Sequence, residues 1–283
     1  MEHSIFVRDL TKRFPGFTLD RVSFQVPKGR IVGFIGENGA GKSTTIRLIL
    51  NELKKDGGTV ELLGRDPADP AARGDVGVVF DACNFPEVFT PRDVEKVLSG
   101  VYPAWDGEAY RGYLKRFDLP EKKRVKALSK GMKMKLAISA ALAHKPRLLI
   151  LDEATAGLDP VVRDEILDLL LDFIQDEEHC VFFSSHITSD IQKIADYVVL
   201  IHQGRIIFEE EKDLLLDRWG ILRCGKGTEV EDYIARRETG VCTEYLVRDR
   251  AAAGRKYPKA VADAASLEDI MLFYIKGEAS CGE

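Results

Sequence analysis

The chain lacks an apolar run long enough to cross a membrane, since a spanning helix needs about 18 or more successive apolar residues. It also lacks the basic excess that is typical of nucleic-acid-binding proteins, because 41 Lys and Arg stand against 46 Asp and Glu. The N-terminal segment MEHSIFVRDLTKRF contains no apolar core of a signal peptide. We therefore expect a cytoplasmic protein with no nucleic-acid partner, which reaches any membrane through another chain.

Cysteines with metal-binding or paired spacing are also missing. The five cysteines are scattered and odd in number, and none forms a CxxC motif: Cys83, Cys180, Cys224, Cys242 and Cys281. Reduced thiols of a cytosolic protein fit this pattern better than a disulfide framework or a metal site. The 283 residues, 45% hydrophobic and 31% charged, are enough for one large domain or for a medium-sized domain with an appendage.

A phosphate-binding motif is present. Residues 36–44 read GENGAGKST and match G-x-x-x-x-G-K-[ST]. The apolar run at 30–35 predicts a strand before the motif, and apolar residues at helical spacing predict a helix from Lys42 onward. Backbone N–H groups and the helix dipole favour an anion at such a junction. Lys42 can reach the β- and γ-phosphates, and the Ser43 hydroxyl can ligate Mg²⁺. A glycine-rich turn without a ligand is the less favoured alternative.

Strands that alternate with helices predict an α/β fold with a mainly parallel sheet. Buried parallel strands are near-continuous apolar runs, and the chain has such runs at 75–80, 148–151 and 180–183. Two earlier strands, at 4–10 and 18–26, predict an antiparallel β subdomain. The strands at 197–202 and 205–209 predict a hairpin. Residues 91–145 are typical of helices, and we interpret them as an insertion carried on the sheet.

The last part of the chain departs from this alternation. We predict short helices there at 213–219, 230–237 and 266–275. We also predict a strand at 245–248 and a loop at 251–254. The expected organisation is a main domain at 1–210, with a helical subdomain at about 82–145, and a small α+β appendage at 211–283. A core of that size does not easily stand alone, so we expect the appendage to be an accessory or dimerisation region.

Polar side chains follow the predicted strands at the edge where α/β sheets bind ligands. Asp152 can hold Mg²⁺ and Glu153 can polarise a water, although an Asp-Glu pair can also cap the next helix. His186 can contact a phosphate, although a single histidine is more often structural. Ser129 and Gly131 begin a predicted helix and suit a phosphate, with an ordinary helix cap as the alternative.

These motifs, in this order, resemble the nucleotide-binding subunit of an ABC transporter over residues 4–210. GENGAGKST resembles the Walker A loop, LLILDE the Walker B strand, LSKGM the family signature, AGLD the D-loop and SSH the switch histidine. The signature serine and glycine, with a D-loop and a histidine following, are specific to this class. The resemblance implies an ABC-type P-loop NTPase fold.

The resemblance also implies a role for each matching residue. Phe14 would stack on adenine, with Phe17 as second choice. Glu153 would be the general base and His186 the γ-phosphate sensor, while Asp159 would connect two sites. The phosphates of ATP would be held by Gly36, Glu37, Asn38, Gly39, Ala40, Gly41, Lys42, Ser43 and Thr44. Mg²⁺ would be held by Ser43 and Asp152, with Asp81 as a further candidate. The signature residues that close on a second protomer's γ-phosphate would be Ser129, Lys130, Gly131 and Met132.

The sequence departs from the family pattern in four places. Asp81 stands where a glutamine is usual, Lys130 replaces a glycine and Met132 a glutamine, and 154–156 lack a frequent proline. Lys130 can add a positive charge near the γ-phosphate or can be solvated, and the second interpretation is favoured. These departures and the C-terminal extension resemble bacterial subunits that pair with separate membrane subunits.

The resemblance therefore implies an ATP-hydrolysing subunit of a bacterial exporter of peptide, antibiotic or lipid. Two such subunits, as a homodimer or a heterodimer, would sandwich ATP and drive a transmembrane subunit on a separate chain. The protein would lie on the inner face of the cell membrane. The alternatives are a soluble ABC-type ATPase and a regulatory or immunity ATPase with weak hydrolysis.

Overall fold

The structure, a computed structural model, describes residues 3–279. In chain order its strands are β1 (His3–Phe14), β2 (Phe17–Pro27), β3 (Ile31–Ile35), β4 (Gly57–Leu62), β5 (Val76–Val79), β6 (Leu148–Asp152), β7 (Cys180–Ser185), β8 (Tyr197–His202), β9 (Arg205–Glu211), β10 (Gly220–Cys224), β11 (Ala235–Glu238), β12 (Thr243–Val247), β13 (Val261–Ala264) and β14 (Glu278–Ala279).

The helices lie between these strands or follow them. In chain order they are α1 (Lys42–Ile49), α2 (Pro70–Gly74), α3 (Pro91–Leu98), α4 (Gly107–Arg116), α5 (Lys130–Ala143), α6 (Pro160–Phe173), α7 (Thr188–Ile194), α8 (Lys212–Arg218), α9 (Arg250–Lys256) and α10 (Leu267–Lys276), with one 3-10 turn at Val125–Ala127. Along residues 3–279, no helix combines the length and the apolar content needed to span a bilayer.

The central sheet has six strands in the order β5-β6-β7-β3-β8-β9. The β9 strand pairs antiparallel with β8, and the other neighbouring strands pair in parallel. Every residue of β3, β6 and β7 is buried, because helices cover one face of the sheet, and α1 and a second sheet cover the other. The register pairs Ile35 with Ser185 and Asp152 with Ser184, so the carboxyl ends of the three strands meet at one edge.

A second, antiparallel sheet of three strands has the order β2-β1-β4. Its inner face shares a buried cluster with the central sheet, where Phe24 stacks on Phe34 and Phe182 with ring centroids 5.5 Å apart in each case. The antiparallel β subdomain expected from the sequence is therefore present. The β1–β2 turn pairs Phe14 with Phe17.

Helices α3, α4 and α5 form the expected helical insertion between β5 and β6. The side chain of Thr90 caps α3 in a reciprocal box with Asp93. The wholly buried Tyr110 ring of α4 donates its hydroxyl proton to the Pro91 carbonyl at 3.0 Å, which ties α4 to the start of α3. Tyr110 lies in the same buried cluster as Leu136 and Ile138 of α5, so α5, whose first turn contains residues 130–132, belongs to the same packed block.

The remaining strands form a five-stranded antiparallel sheet in the order β13-β10-β12-β11-β14. One of its faces packs on α10, whose Ile270 and Phe273 lie in the same buried cluster as Ile191 and Ile194 of α7. The expected α+β character is present, and the α10 helix has the serine cap that the sequence predicts at Ser266.

Two predictions for this region are wrong. Residues 230–237 do not form a helix, since Ala235–Glu238 form β11 and pair with β12. Residues 251–254 are not a loop, since they lie in α9, where the Asp249 side chain accepts a hydrogen bond from the Ala252 amide. In the first case, cross-strand pairing outweighs local propensity. In the second, the cap and the helix-favouring alanines at 251–253 both support the helix. The strands β10 and β13 were not predicted.

Candidate nucleotide-binding site

The loop between β3 and α1 has a backbone that requires glycine. Gly39 has φ 84° and Gly41 has φ 115°, in the left-handed region that residues with a Cβ rarely adopt. A Cβ at Gly36 would lie 2.4 Å from the Ile201 carbonyl oxygen. Within the described chain, the first turn of α1 carries neither a side-chain cap nor an acidic residue. Its N–H groups and its positive dipole end therefore suit a phosphate.

Lys42 is the buried cation of this loop, with 5% of its surface exposed. Its Nζ donates to the carbonyl oxygens of Gly36 at 2.7 Å and Glu37 at 3.1 Å. The same Nζ lies 3.1 Å from Oε1 of Glu153. The lysine thus curls over its own loop and reaches the carboxylate at the end of the neighbouring Walker B segment.

The other residues of the loop lie around this cation. Asn38 and Ser43 are exposed, and Thr44 is half-buried. The Ala40 carbonyl accepts from the Gly204 amide at 3.0 Å, which anchors the loop to the β8–β9 turn. Oε1 of Glu37 lies 3.0 Å from Nδ1 of His202, a residue at the end of β8 that the sequence analysis missed. In the sequence, His202 is marked only by the apolar run that precedes it.

Asp152 ends β6 and is 4% exposed. Its Oδ1 accepts a hydrogen bond from the Ser184 hydroxyl at 2.6 Å, so the carboxylate is held at the sheet edge. Ser184 is a second residue that the sequence analysis did not include among the site residues. A buried, oriented carboxylate at the end of β6 and an exposed serine hydroxyl in the first turn of α1 are oxygen donors of the kind that Mg²⁺ prefers, so the chemistry of Asp152 and Ser43 fits the ion.

Glu153 links the lysine to the histidine. Its Oε2 lies 2.6 Å from Nδ1 of His186, while its Oε1 faces Lys42. Its φ of 54° is unusual for a residue with a side chain. Hydrogen bonds from its amide to the carbonyl and hydroxyl of Ser184, at 3.1 and 3.3 Å, hold this backbone. Strained backbone that neighbours hold in place is concentrated at functional sites.

The signature residues form the first turn of α5. The Ser129 hydroxyl caps the helix by accepting from the Met132 amide at 3.2 Å. A Cβ at Gly131 would lie 3.2 Å from Cγ1 of Val162, so α5 and α6 are close at their N-terminal ends. Asp159 caps α6 in the same way, accepting from the Val162 amide at 3.0 Å. The described hydrogen bonds of the signature residues go to α5 itself or to the loop before α6.

The sequence favoured a simply solvated Lys130. The residue is exposed, but its side chain is hydrogen-bonded within the chain. Its Nζ donates to the Ala156 carbonyl at 2.6 Å. The other alternative, a charge near the γ-phosphate, is compatible with its position at a helix N-terminus. The signature and the loop at 154–158 are therefore in direct contact within one chain.

Two aromatic rings lie at the β1–β2 turn. Phe14 is 38% exposed, and its ring centroid is 6.4 Å from that of Phe17. A Cβ at Gly41 would lie 3.1 Å from the Phe17 ring, so Phe17 contacts the phosphate loop. An exposed ring next to the loop suits stacking on a base. Asp81 lies two residues beyond β5 and is exposed, and its role as a metal ligand stays a prediction.

The chain is similar to known proteins. A family model described as ABC transporter matches residues 19–156. The bacitracin transport ATP-binding protein BcrA of Bacillus licheniformis is 34% identical over 225 residues, which are 77% of this chain and 73% of that protein. The chain belongs to the ABC transporter ATP-binding family. As a member of it, the chain binds ATP and hydrolyses it.

Two further comparisons agree. The lantibiotic transport ATP-binding protein SrtF of Streptococcus pyogenes is 32% identical over 210 residues, which are 73% of this chain and 90% of that protein. A solved structure of an ATP-binding subunit of an ABC transporter is 26% identical, with a TM-score of 0.66 over 74% of this chain and 91% of that one. The ABC-type P-loop fold expected from the sequence is therefore confirmed.

Proposed function

We propose that this chain is the ATPase subunit of a bacterial exporter of a peptide, an antibiotic or a lipid, and that it drives a transmembrane subunit on a separate chain. The observation that carries the proposal is the polar chain Lys42–Glu153–His186 at the carboxyl edge of the central sheet. The relatives that transport bacitracin and lantibiotics support this class of cargo. The protein would act at the inner face of the cell membrane.

In this proposal ATP lies on the loop at 36–44, with adenine on Phe14. Lys42 and the N–H groups at the start of α1 bind the phosphates. Ser43 and Asp152 hold Mg²⁺, which neutralises phosphate charge when it is bound, and Asp81 is a further candidate ligand. Ser184 orients Asp152 for this role through the 2.6 Å hydrogen bond.

Glu153 is the proposed general base for hydrolysis. In the structure Lys42 holds Oε1 of Glu153 at 3.1 Å, and a phosphate that draws Nζ away leaves this oxygen free to accept the proton of the attacking water. His186 holds the other oxygen at 2.6 Å, which fixes the direction of the carboxylate. The same histidine is the proposed sensor of the γ-phosphate.

The second half of the site is proposed to come from another subunit, identical or related. Ser129, Gly131 and the start of α5 present a serine hydroxyl and a helix N-terminus, which suit a phosphate. Their described hydrogen bonds go to α5 and to the loop before α6. This orientation supports closure on a partner's ATP, with Asp159 between the two sites.

The helical insertion is the proposed contact with the transmembrane subunit. A groove of about 230 Å³ lies between β5, α3 and α5, lined partly by Phe80, Phe85, Leu98 and Tyr102. Val97, which precedes Leu98 in α3, is 47% exposed. An apolar groove of this kind suits a short cytoplasmic segment of a membrane protein with one or two apolar side chains.

Purification of the tagged chain from native membranes tests the proposal. We expect an integral membrane protein to co-purify and to be lost from the Val97→Glu variant, which places a charge on α3 next to Leu98. The matched Val261→Glu variant, which changes an exposed valine of β13, should retain it. Recovery of the wild-type chain without a membrane protein would contradict the exporter and favour a soluble ATPase.

A further inference from the structure

Lys130 occupies an unfavourable place for a cation. It is the first residue of α5, and the N-terminal end of a helix carries a partial positive charge. The hydrogen bond from its Nζ to the Ala156 carbonyl, at 2.6 Å, offsets this repulsion. Among residues 3–279, no carboxylate is described as an ion-pair partner of this lysine. The side chain is therefore held by a loop and not by a counter-ion.

The loop that Lys130 contacts begins at the proposed base. Glu153 opens it with a φ of 54°, and two turn hydrogen bonds follow, from the Ala156 amide to Glu153 and from the Leu158 amide to Thr155. Gly157 has a φ of 66°, and a Cβ there would lie 2.8 Å from Nζ of Lys130. The lysine thus packs over the turn of a short segment whose first residue carries the reactive carboxylate.

A second contact lies one residue further along α5. Gly131 is so close to Val162 of α6 that a Cβ would need Val162 to shift. The segment 153–162 is therefore fixed to the first turn of α5 at two points, the Lys130 hydrogen bond and the Gly131–Val162 contact. A displacement of α5 must displace this segment or break the hydrogen bond.

We propose that Lys130 is a positioning residue, which ties the start of α5 to the loop at 153–158 and thereby holds Glu153 in register with the signature. The family pattern has a glycine at this position, so the resemblance assigns no such role. The contact lies within one chain and exists without a partner. Its effect on turnover rests on the proposed function of Glu153.

Hydrogen exchange on the full chain tests the contact itself. Lys130→Met keeps the stem and removes the donor, Lys130→Arg keeps a donor, and Lys126→Met removes another exposed lysine nearby as the control. We expect the Ala156 and Leu158 amides to exchange roughly tenfold faster in Lys130→Met, the effect of losing one charge-assisted hydrogen bond. Lys130→Arg and Lys126→Met should exchange at the wild-type rate. Wild-type exchange in Lys130→Met would overturn the proposal.

Steady-state ATP hydrolysis by the same variants tests the consequence. We expect kcat of Lys130→Met to fall about five- to tenfold while KM and the affinity for a non-hydrolysable ATP analogue stay unchanged, because Lys42 and the phosphate loop are intact. Lys130→Arg should retain the kcat of the wild type. Faster exchange with an unchanged kcat would overturn the positioning role. A wild-type chain without ATPase activity would contradict the function of Glu153, and the exchange measurement would still decide whether the contact exists.

Discussion

Two groups of charged side chains in this molecule are paired at similar distances but in different backbone settings. At the carboxyl edge of the central sheet, Lys42 projects from the first turn of α1, and Glu153 and His186 directly follow β6 and β7. In the C-terminal sheet, Arg223 and Glu244 project from the middle of paired strands. The first group can change partners when a phosphate arrives, whereas the regular register of the second fixes its partners. The comparison separates charges that serve chemistry from charges that serve stability.

The C-terminal group is a row across four strands. Glu244 of β12 lies opposite Arg223 of β10 and Arg237 of β11. Its two oxygens are 2.9 and 2.6 Å from their respective guanidinium groups, and Asp263 of β13 pairs with Arg223 at the edge. Burial raises the pKa of Glu244, but hydrogen bonds from Arg237 and Arg223 outweigh it, and the net pKa is lowered. The row therefore favours the ionised carboxylate in the folded protein.

The largest effect is expected at the edge of the central sheet. Lys42→Ala removes the buried cation of the phosphate loop, and we expect the affinity for ATP to fall at least about 100-fold, as for the loss of one partner of a buried charge pair. Equilibrium binding of a fluorescent ATP analogue measures the change. A circular dichroism spectrum like that of the wild type serves as the folding control. Retained affinity would be incompatible with the phosphate-loop assignment.

The next effect separates binding from turnover. Glu153→Gln keeps the shape and the hydrogen bond to His186 but removes the base, so we expect kcat to fall about 100-fold or more while ATP still binds. If the two-subunit site is correct, ATP should also drive this variant into a dimer, which size-exclusion chromatography detects. Full hydrolysis by Glu153→Gln would refute the general base.

A Glu→Gln substitution in the C-terminal sheet should lower stability and leave turnover unchanged. Glu244→Gln removes one charge from between two arginines, and we expect the free energy of unfolding to fall by about 1–2 kcal/mol, with kcat and KM unchanged. Chemical denaturation measures the loss. A fall in kcat would show that the C-terminal sheet acts on the nucleotide site, and the separation between the two groups would fail.

Sequence patterns predicted the central sheet better than the C-terminal one, for a physical reason. A strand such as β6 is buried on both faces, so the run LLIL is visible without knowledge of its neighbours. In β11, which is ARRE, charged residues pair across strands, and the alternation that marks a strand is lost, while β10 is only five residues long and carries one charge. A single sequence does not show which strands are neighbours, so it does not show which charged residues pair.

The same distinction holds within the site. Gly39, Gly41 and Lys42 were predicted because the loop needs them locally, in a fixed spacing. Ser184 and His202 were missed, since each acts on a residue far away in the chain. The partner of Lys130 was missed for the same reason, because Ala156 lies 26 positions further on. A motif therefore identifies the groups that meet the ligand, and the fold identifies those that hold these groups.

The smallest expected effect concerns the pH dependence of the C-terminal row. The folded-state pKa of Glu244 is lowered from a reference of 4.5, so its ionised form contributes stability that is fully present above that pH. As the pH falls below about 4.5, the unfolded chain takes up the proton first, and the contribution is lost as the pH passes through the lower folded-state pKa.

We therefore expect the difference in unfolding free energy between wild type and Glu244→Gln to be constant from pH 7 to pH 5.5 and to shrink at lower pH. Denaturation at several pH values measures it, within the range where both proteins fold. A difference that stays constant down to pH 3.5 would mean that packing and not charge holds Glu244. The contrast between the two regions would then fail, because the ion pairs of the C-terminal row would not stabilise the fold.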